Sequence, residues 1–303
     1  MIRTSTLVLA LAAAFAFSTA SQAQQTGTLK KIQDSGSITI GHRDSSIPFS
    51  YYDDKQQPVG FAMDLCLRIV DAVKTELKLP KLDVKYQLVT SANRIPLMAN
   101  GTIDLECGST TNNIARQKEV SFTITHFLTA NRIVAKKSAN LKSEADLKGK
   151  TMVSTSGTTN IKQLTELNTS KSMGMNIIPA NGHPEAFQMV ETGRAVGFAM
   201  DDILLYSLVA QARNPSEFVI SDFALSLPEP YGIMLRKDDP AFKKVVDGAM
   251  TRLYKSGEGM KIYEKWFLKP IPPKNLNLNV PVSAQMKNLF ANPTDSGDPT
   301  AYK

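Results

Sequence analysis

The chain has 303 residues, 42% hydrophobic and 21% charged, with a formal net charge of +7, a globular composition long enough for one large or two ordinary domains. Lys and Arg are scattered among acids rather than gathered into the basic stripe that nucleic-acid binding requires, which argues against that class. The three His (42, 126 and 183) and two Cys (66 and 107) show no metal-ligand spacing, and nothing in the sequence implies a cofactor.

Met1 to Ala23 reads as a cleavable signal peptide: Arg3 supplies the positive start, Leu7 to Phe17 an apolar run too short to span a bilayer, and Ser21-Gln22-Ala23 a cleavage site. No later stretch is long and apolar enough for a membrane helix, so the expectation is an exported, soluble chain. A short helix at Leu29 to Ser35 ends at Gly36, and Ile38 to Gly41 is a buried strand that runs into the polar loop HRDSSIPFSYYD, which carries Arg43. Gly60-Phe61 opens a helix through Asp64, Leu65, Ile69 and Val73 at helical spacing. It carries Cys66. Pairing with Cys107 on a later strand and two buried thiols are equally open.

After the strand LDVKYQLV, the stretch TSANRIPL begins a helix. Ser91 suits an N-cap. Arg94 in the first turn opposes the helix dipole, a conflict that an anion shared with the helix N-terminus would remove. The central stretch is Gly101 to Thr123, GTIDLECGSTTNNIARQKEVSFT. Alternation marks Thr102 to Cys107 as a strand with Glu106 turned away from the side of Cys107. Ser109 and Thr111 then place hydroxyls at the strand's C-terminal edge, and Arg116 follows on a helical run. A strand, a hydroxyl-rich turn and an Arg together suit a carboxylate clamp.

His126 to Asn131 reads as a first crossing between lobes and Ser221 to Ser226 as the return. Between them Met152-Val153, Met175 to Ile178 and the stretch ending at Met200 are strands, followed respectively by the turn STSGTTN with Thr159, by NGHP with His183, and by Asp201-Asp202. Capping explains Thr159 and Asp201 as well as binding does. Tyr231 to Leu235 is a returning strand and Asp239 to Trp266 is mostly helical. Ser283 caps a last short helix, and Asn292 to Lys303 reads as loose.

The order Gly-x-x-Asp, strand, Ser-x-Thr-x-x-x-x-Arg and Phe-Thr resembles the signature of family 3 periplasmic solute-binding proteins. HRDSSIPFSYYD, TSANRIPL, ECGSTTNN-x-x-RQK and KPIPPKNLN are most similar to the members that bind glutamate and aspartate. The resemblance spans nearly all of the chain after the signal peptide. It implies a periplasmic binding protein-like α/β fold of type II, two lobes joined by a two-strand hinge: residues 26–125 plus 227–279, and residues 129–222, with 280–303 as a C-terminal extension. It implies a monomer that delivers its ligand to the membrane permease of an ABC importer. It also implies roles. Arg116, Ser109, Thr111 and Thr159 would hold an α-carboxylate and Asp201 an α-ammonium, while Arg43, Ser91, Arg94 and His183 would serve a side-chain carboxylate. Close relatives carry Cys where Ile233 stands, which leaves any inherited disulfide open. With two α-groups matched, the remaining cations call for a third, negative charge. L-glutamate or L-aspartate is therefore the expected ligand, since a basic amino acid would leave those cations unpaired. The rival reading is a periplasmic dehydratase of prephenate or arogenate type on the same fold, which needs a positioned general acid. A receptor's sensor half is a third reading, without a membrane helix to support it.

Overall fold

A computed structural model describes residues 27–273 and 275–302; the expected signal peptide lies outside the described residues. The chain begins with helix α1 (Gly27–Ser35) and strand β1 (Ser37–His42), then a small antiparallel unit of β2 (Ser45–Ser46), β3 (Ser50–Tyr52) and β4 (Pro58–Val59). Helix α2 (Phe61–Glu76) leads to β5 (Asp83–Leu88), α3 (Arg94–Ala99), β6 (Leu105–Glu106) and β7 (Val120–Phe122). Strand β8 (Phe127–Thr129) carries the chain out to β9 (Asn131–Lys136), β10 (Thr151–Thr155), α4 (Thr159–Ser170), β11 (Asn176–Ala180), α5 (His183–Glu191), β12 (Gly197–Asp201), α6 (Asp202–Gln211) and β13 (Phe218–Ile220). Strand β14 (Glu229–Tyr231) brings it back to β15 (Met234–Arg236), α7 (Pro240–Lys255), α8 (Glu258–Phe267) and α9 (Ala284–Ala291).

Two five-stranded sheets result, ordered β5-β1-β6-β15-β7 and β11-β10-β12-β9-β13. In each, parallel strands are joined by helices and one returning strand pairs antiparallel. The two sheets share one architecture, so the strand ends that follow β1, β6, β10 and β12 can face a common crevice, the place where α/β sheets bind ligands. Between the two sheets run β8 and β14, which pair with each other antiparallel, Phe127 opposite Tyr231 and Thr129 opposite Glu229. This is the two-strand hinge of a type II binding protein.

The first crossing falls where the sequence placed it. The return does not. Ser221 to Ser226 belongs to the edge of the second sheet, where Ser221 N–H donates to the Ile133 carbonyl at 2.7 Å and Leu225 N–H to that of Asn131 at 2.7 Å; the chain crosses at β14 instead. Leu227 and Pro228 carry no alternating pattern that marks β14 from sequence. Three other expectations change. The strand Thr102 to Cys107 contracts to Leu105–Glu106, and the helical run after Arg116 is one 3-10 turn, Arg116–Lys118. The strand expected at Met175 to Ile178 runs from Asn176 to Ala180.

Lobe 1's core lies between α2, α7, α8 and the hinge. Phe49, Phe61, Phe127, Tyr231, Tyr263 and Phe267 are buried there, with Phe127 stacked on Phe267 at a ring separation of 5.0 Å. Such pairs add roughly 0.5–1.5 kcal/mol each beyond their buried area. Cys66 and Cys107 form a disulfide with Cα atoms 6.2 Å apart. It ties α2 to the segment just before Ser109, so the strand that presents the site is fixed to the core. Ile233 is fully buried in that core.

Candidate functional site

All nine candidate residues are buried, each 8% exposed or less. Seven of them (Ser91, Arg94, Ser109, Thr111, Thr159, His183 and Asp201) line one small cavity between the lobes. Thr158, Asn160, Met200 and Leu204 complete the wall. Closed, the cavity measures only about 10 Å³, so the lobes have to part before anything larger than a water enters the cavity. Arg43 and Arg116 do not line it. They stand behind its wall, close enough to act on it through charge.

On the lobe 1 side the polar groups are short of partners. Arg94, at the first position of α3, donates from Nη1 to Thr110 Oγ1 at 2.5 Å and to the Ser109 carbonyl at 3.3 Å, while its Nε has no partner. The Ser91 hydroxyl is also unpartnered. It does not cap α3, as the sequence suggested, because Thr90 and Asn93 bond each other reciprocally instead. Ser109 Oγ has no partner, and neither do Nε and Nη1 of Arg43. Burial, then the neighbouring Arg94, pushes the Arg43 guanidinium down to about 10; Arg43 stays charged at neutral pH, in surroundings that favour an added anion.

Glu106 turns away from Cys107, which faces α2, as alternation implies, and that direction points toward the arginines. Its Oε1 lies 3.9 Å from Arg94 Nη1, and its Oε2 accepts from Thr110 Oγ1 at 2.5 Å. Thr110 therefore relays between Arg94 and Glu106. Arg94 has a counter-ion inside the protein, whereas no ion pair reaches Arg43 among the described residues. Gly108 leaves room for this arrangement: a Cβ there would stand 2.3 Å from Glu106 Oε1 and 3.1 Å from Arg43 Cγ.

The second lobe supplies groups that are already held. Thr158 caps α4, its Oγ1 accepting from Ile161 N–H at 3.2 Å. The Thr159 hydroxyl instead lines the cavity, 3.4 Å from that of Thr111 across the cleft. The Thr pair thus splits into one cap and one site residue. His183 is the first residue of α5 rather than a solvated loop residue, and its Nδ1 meets Thr155 Oγ1 at 2.9 Å. Its Nε2 has no partner. Burial first, then Arg43 and Arg94, hold the ring well below its usual pKa, so it is neutral. With Thr155 donating to Nδ1, Nε2 would carry the proton and act as a donor.

Asp201 occupies the N-cap position of α6 but makes no side-chain cap. Its carboxylate accepts instead from Asn160 Nδ2 at 2.8 Å and from the Tyr231 hydroxyl on the hinge. Burial raises its pKa. Glu229, two residues before Tyr231 and on the same face of β14, is pushed up to about 8 by burial and by Asp201. Its Oε1 accepts from Gln163 Nε2 at 2.7 Å, and Oε2 is unpartnered. Asn160, Tyr231, Glu229, Thr155 and Thr110 were not singled out from sequence. Thr110 sits inside the motif GSTT, and Thr155 and Asn160 lie within the turn STSGTTN. Tyr231 and Glu229 lie on the returning hinge strand, which leaves no local signal.

The cleft is shut. Arg116 donates from Nη1 to the Thr111 carbonyl at 2.8 Å and from Nη2 across to the Gly157 carbonyl at 3.1 Å. Gly157 has φ +75°, and a Cβ there would lie 2.6 Å from Ala92 Cα and 2.7 Å from the Ser91 carbonyl. The lobes approach so closely that only glycine fits. A two-lobed protein with a small, buried, polar cavity between lobes joined by a two-strand hinge belongs to the class that captures small polar solutes.

Residues 38–269 match the model of the bacterial extracellular solute-binding proteins, family 3, and the chain belongs to this family. It is 56% identical over 271 residues to an L-glutamate/L-aspartate-binding protein of Pseudomonas aeruginosa, covering 89% of each chain. It is 48% identical over 292 residues to the glutamate/aspartate import solute-binding protein of Escherichia coli, covering 96% of each. Among solved structures, a mutant of the ArgBP protein from T. maritima superposes with a TM-score of 0.68 at 27% identity, covering 78% of this chain and 98% of that one. A solute receptor for L-cysteine from Neisseria gonorrhoeae gives 0.69 at 25% identity, covering 80% and 94%.

Proposed function

We propose that the protein is a periplasmic binding protein that captures L-glutamate or L-aspartate between its lobes and delivers it to the permease of an ABC importer. The observation that carries the reading is Arg43: a fully desolvated guanidinium, beside Arg94 and His183, with two nitrogens lacking any partner. Unpaired buried cations are costly, and an incoming carboxylate removes the cost. Ser91, Ser109, Arg94 Nε and His183 Nε2 lie close by with free polar atoms, and together they suit a side-chain carboxylate. Thr111, Thr159 and Arg116 suit the α-carboxylate, and Asp201 suits the α-ammonium. The high identity to glutamate/aspartate-binding proteins of two bacteria supports the same ligand. The lobes correspond to residues 26–125 plus 227–279 and to residues 129–222, with 280–303 as an extension. The protein works as a monomer exported by a cleavable signal peptide.

The test is titration calorimetry of ligand-free protein with L-glutamate, L-aspartate, L-glutamine and L-asparagine. Micromolar or tighter binding of the two acids with much weaker binding of the amides is the expected result, because a site holding unpaired cations discriminates strongly against neutral isosteres. Equal affinity for glutamate and glutamine would remove the acidic-ligand assignment. The dehydratase reading lacks support: both of these relatives bear the names of binding proteins.

A further inference from the structure

The C-terminal extension, expected from sequence to be loose, is pinned. Beyond residue 269, where the family match ends, α9 packs onto lobe 1 with Phe290 against Tyr254 at a ring separation of 4.6 Å. The chain then runs across the back of the central motif. Thr294 accepts through its carbonyl from Thr125 N–H at 2.8 Å. The Asp295 carbonyl accepts from both Asn112 Nδ2 at 2.9 Å and Gln117 Nε2 at 3.0 Å. Gln117 Nε2 also donates to Asn112 Oδ1 at 2.9 Å. Gly297 lies so close that a Cβ would meet the carbonyl carbon of Asn113 and the nitrogen of Ile114 at 2.8 Å each. Tyr302, 6% exposed, joins its hydroxyl to Thr125 Oγ1 at 2.8 Å and donates to the Ser296 carbonyl at 2.7 Å.

These anchors converge on two places that matter for binding. One is the segment from Thr111 to Gln117, which carries Thr111 of the cavity wall and Arg116, whose guanidinium reaches across to the Gly157 carbonyl. Asn112 is fully buried, and its side-chain amide has no use other than this network. The other is Thr125, which stands two residues before the hinge strand β8. The start of the segment is tied to the hinge strand, Thr111 bridging Tyr231 and Asn112 N–H donating to the Pro230 carbonyl at 2.8 Å. Beyond Asn112 it holds only a 3-10 turn, so little local structure of its own keeps Asn113 to Gln117 in place.

We propose that residues 293–302 form a strap that positions the Thr111–Arg116 clamp, so that ligand affinity depends on a segment that touches no ligand. The proposal rests on the reading of Arg116 and Thr111 as ligand-binding residues. Its residues are positioning residues: removing the strap leaves Asn112 and Gln117 amides without their carbonyl, the segment loosens, and each binding event must order it again, which lowers affinity.

The experiment compares the full chain, a chain ended after Asn292, and Gly297→Val, which lifts the strap without deleting it. L-glutamate and L-aspartate binding is measured by calorimetry, alongside amide hydrogen exchange. The expected result is a loss of about tenfold or more in affinity, about 1.4 kcal/mol, equal for both ligands because the clamp serves groups they share. Exchange should quicken at residues 111–118 even without ligand. A control, Phe187→Leu, loosens the distant Phe187–Phe218 contact in lobe 2 and should lower melting temperature without that local exchange change. The proposal is overturned if the Gly297→Val protein binds both ligands like the full chain, or if its exchange quickens evenly across lobe 1. If the full chain binds neither acid, the ligand assignment fails while the exchange at 111–118 still decides the strap.

Discussion

The two walls of the cleft solve opposite problems. Lobe 1 presents Arg94, Ser91 and Ser109 with polar atoms left unpaired, backed by Arg43, whose Nε and Nη1 are unpaired too. Lobe 2 and the hinge present Asp201 already holding Asn160 and Tyr231, and His183 already held by Thr155. The acid wall is built in advance; the cation wall is completed by whatever enters. A preorganised group costs little to use, whereas an unpaired buried cation stores a large preference for one charge of ligand. Selectivity should therefore reside mainly on the lobe 1 wall, and general recognition of amino acids on the other.

The sharpest way to break this comparison is to remove charges from each wall. Arg43→Met deletes the cation that makes no ion pair among the described residues, so L-glutamate binding should fall by roughly 2–5 kcal/mol, on the order of thirtyfold to several-thousandfold, with glutamine less affected. Arg94→Met should lose less selectivity, because Glu106 already offsets Arg94 through Thr110. Arg116→Met should weaken acids and amides alike. Calorimetry on the three variants with both ligands checks the order, and a wild-type glutamate-to-glutamine ratio in Arg43→Met would place selectivity elsewhere.

Closure comes next. Gly157→Ala puts a methyl group where Ala92 and the Ser91 carbonyl stand less than 3 Å away, and forces a positive φ on an L residue. The lobes should fail to seal, with affinity down roughly tenfold or more for every amino acid, while lobe 2 alone loses about 1 kcal/mol of stability. Small-angle scattering should show the wild-type protein contracting on adding L-glutamate and the variant staying extended. Contraction of both to the same radius would refute the steric argument.

Most of the fold was legible because both sheets use strand-helix units with regular apolar spacing, as from Phe61 to Val73. The candidate site residues stand out where hydroxyls and arginines cluster after a strand, as in GSTTNNIAR. The misreadings share one cause. Ser91 lost the cap to its immediate neighbours Thr90 and Asn93, a choice that residue type alone does not make. The return crossing and the C-terminal segment are instead decided by partners far away in sequence: β8 recruited Glu229–Tyr231, and Thr125 with Asn112 fixed the tail. In each case the deciding partner is a contact rather than a propensity. Local propensity carries no information about such partners.

The smallest expected effects concern pH, and the two walls again differ in sign from a third region, the core. Glu229 has its folded pKa raised to about 8 from an unfolded value of 4.5. Its contribution is fully present below about pH 4.5 and is lost as pH rises through 8. His126 is fully buried among Phe49, Phe61 and Tyr231 with neither ring nitrogen partnered, and burial lowers it to about 3. A depressed base behaves oppositely: its contribution is present above about pH 6.5 and is lost as pH falls toward 3. Ligand-free protein should therefore show a broad stability maximum on the acid side of neutrality, bounded below by His126 and above by Glu229. Glu229→Gln should flatten the alkaline limb of melting temperature against pH, and His126→Phe the acid limb, each leaving the other limb intact. Bound amino acid should flatten the alkaline limb too, because its ammonium beside Asp201 compensates the charge that Glu229 acquires. An alkaline limb unchanged by both the Glu229→Gln substitution and saturating L-glutamate would show that the hinge carboxyl is not coupled to the ammonium site.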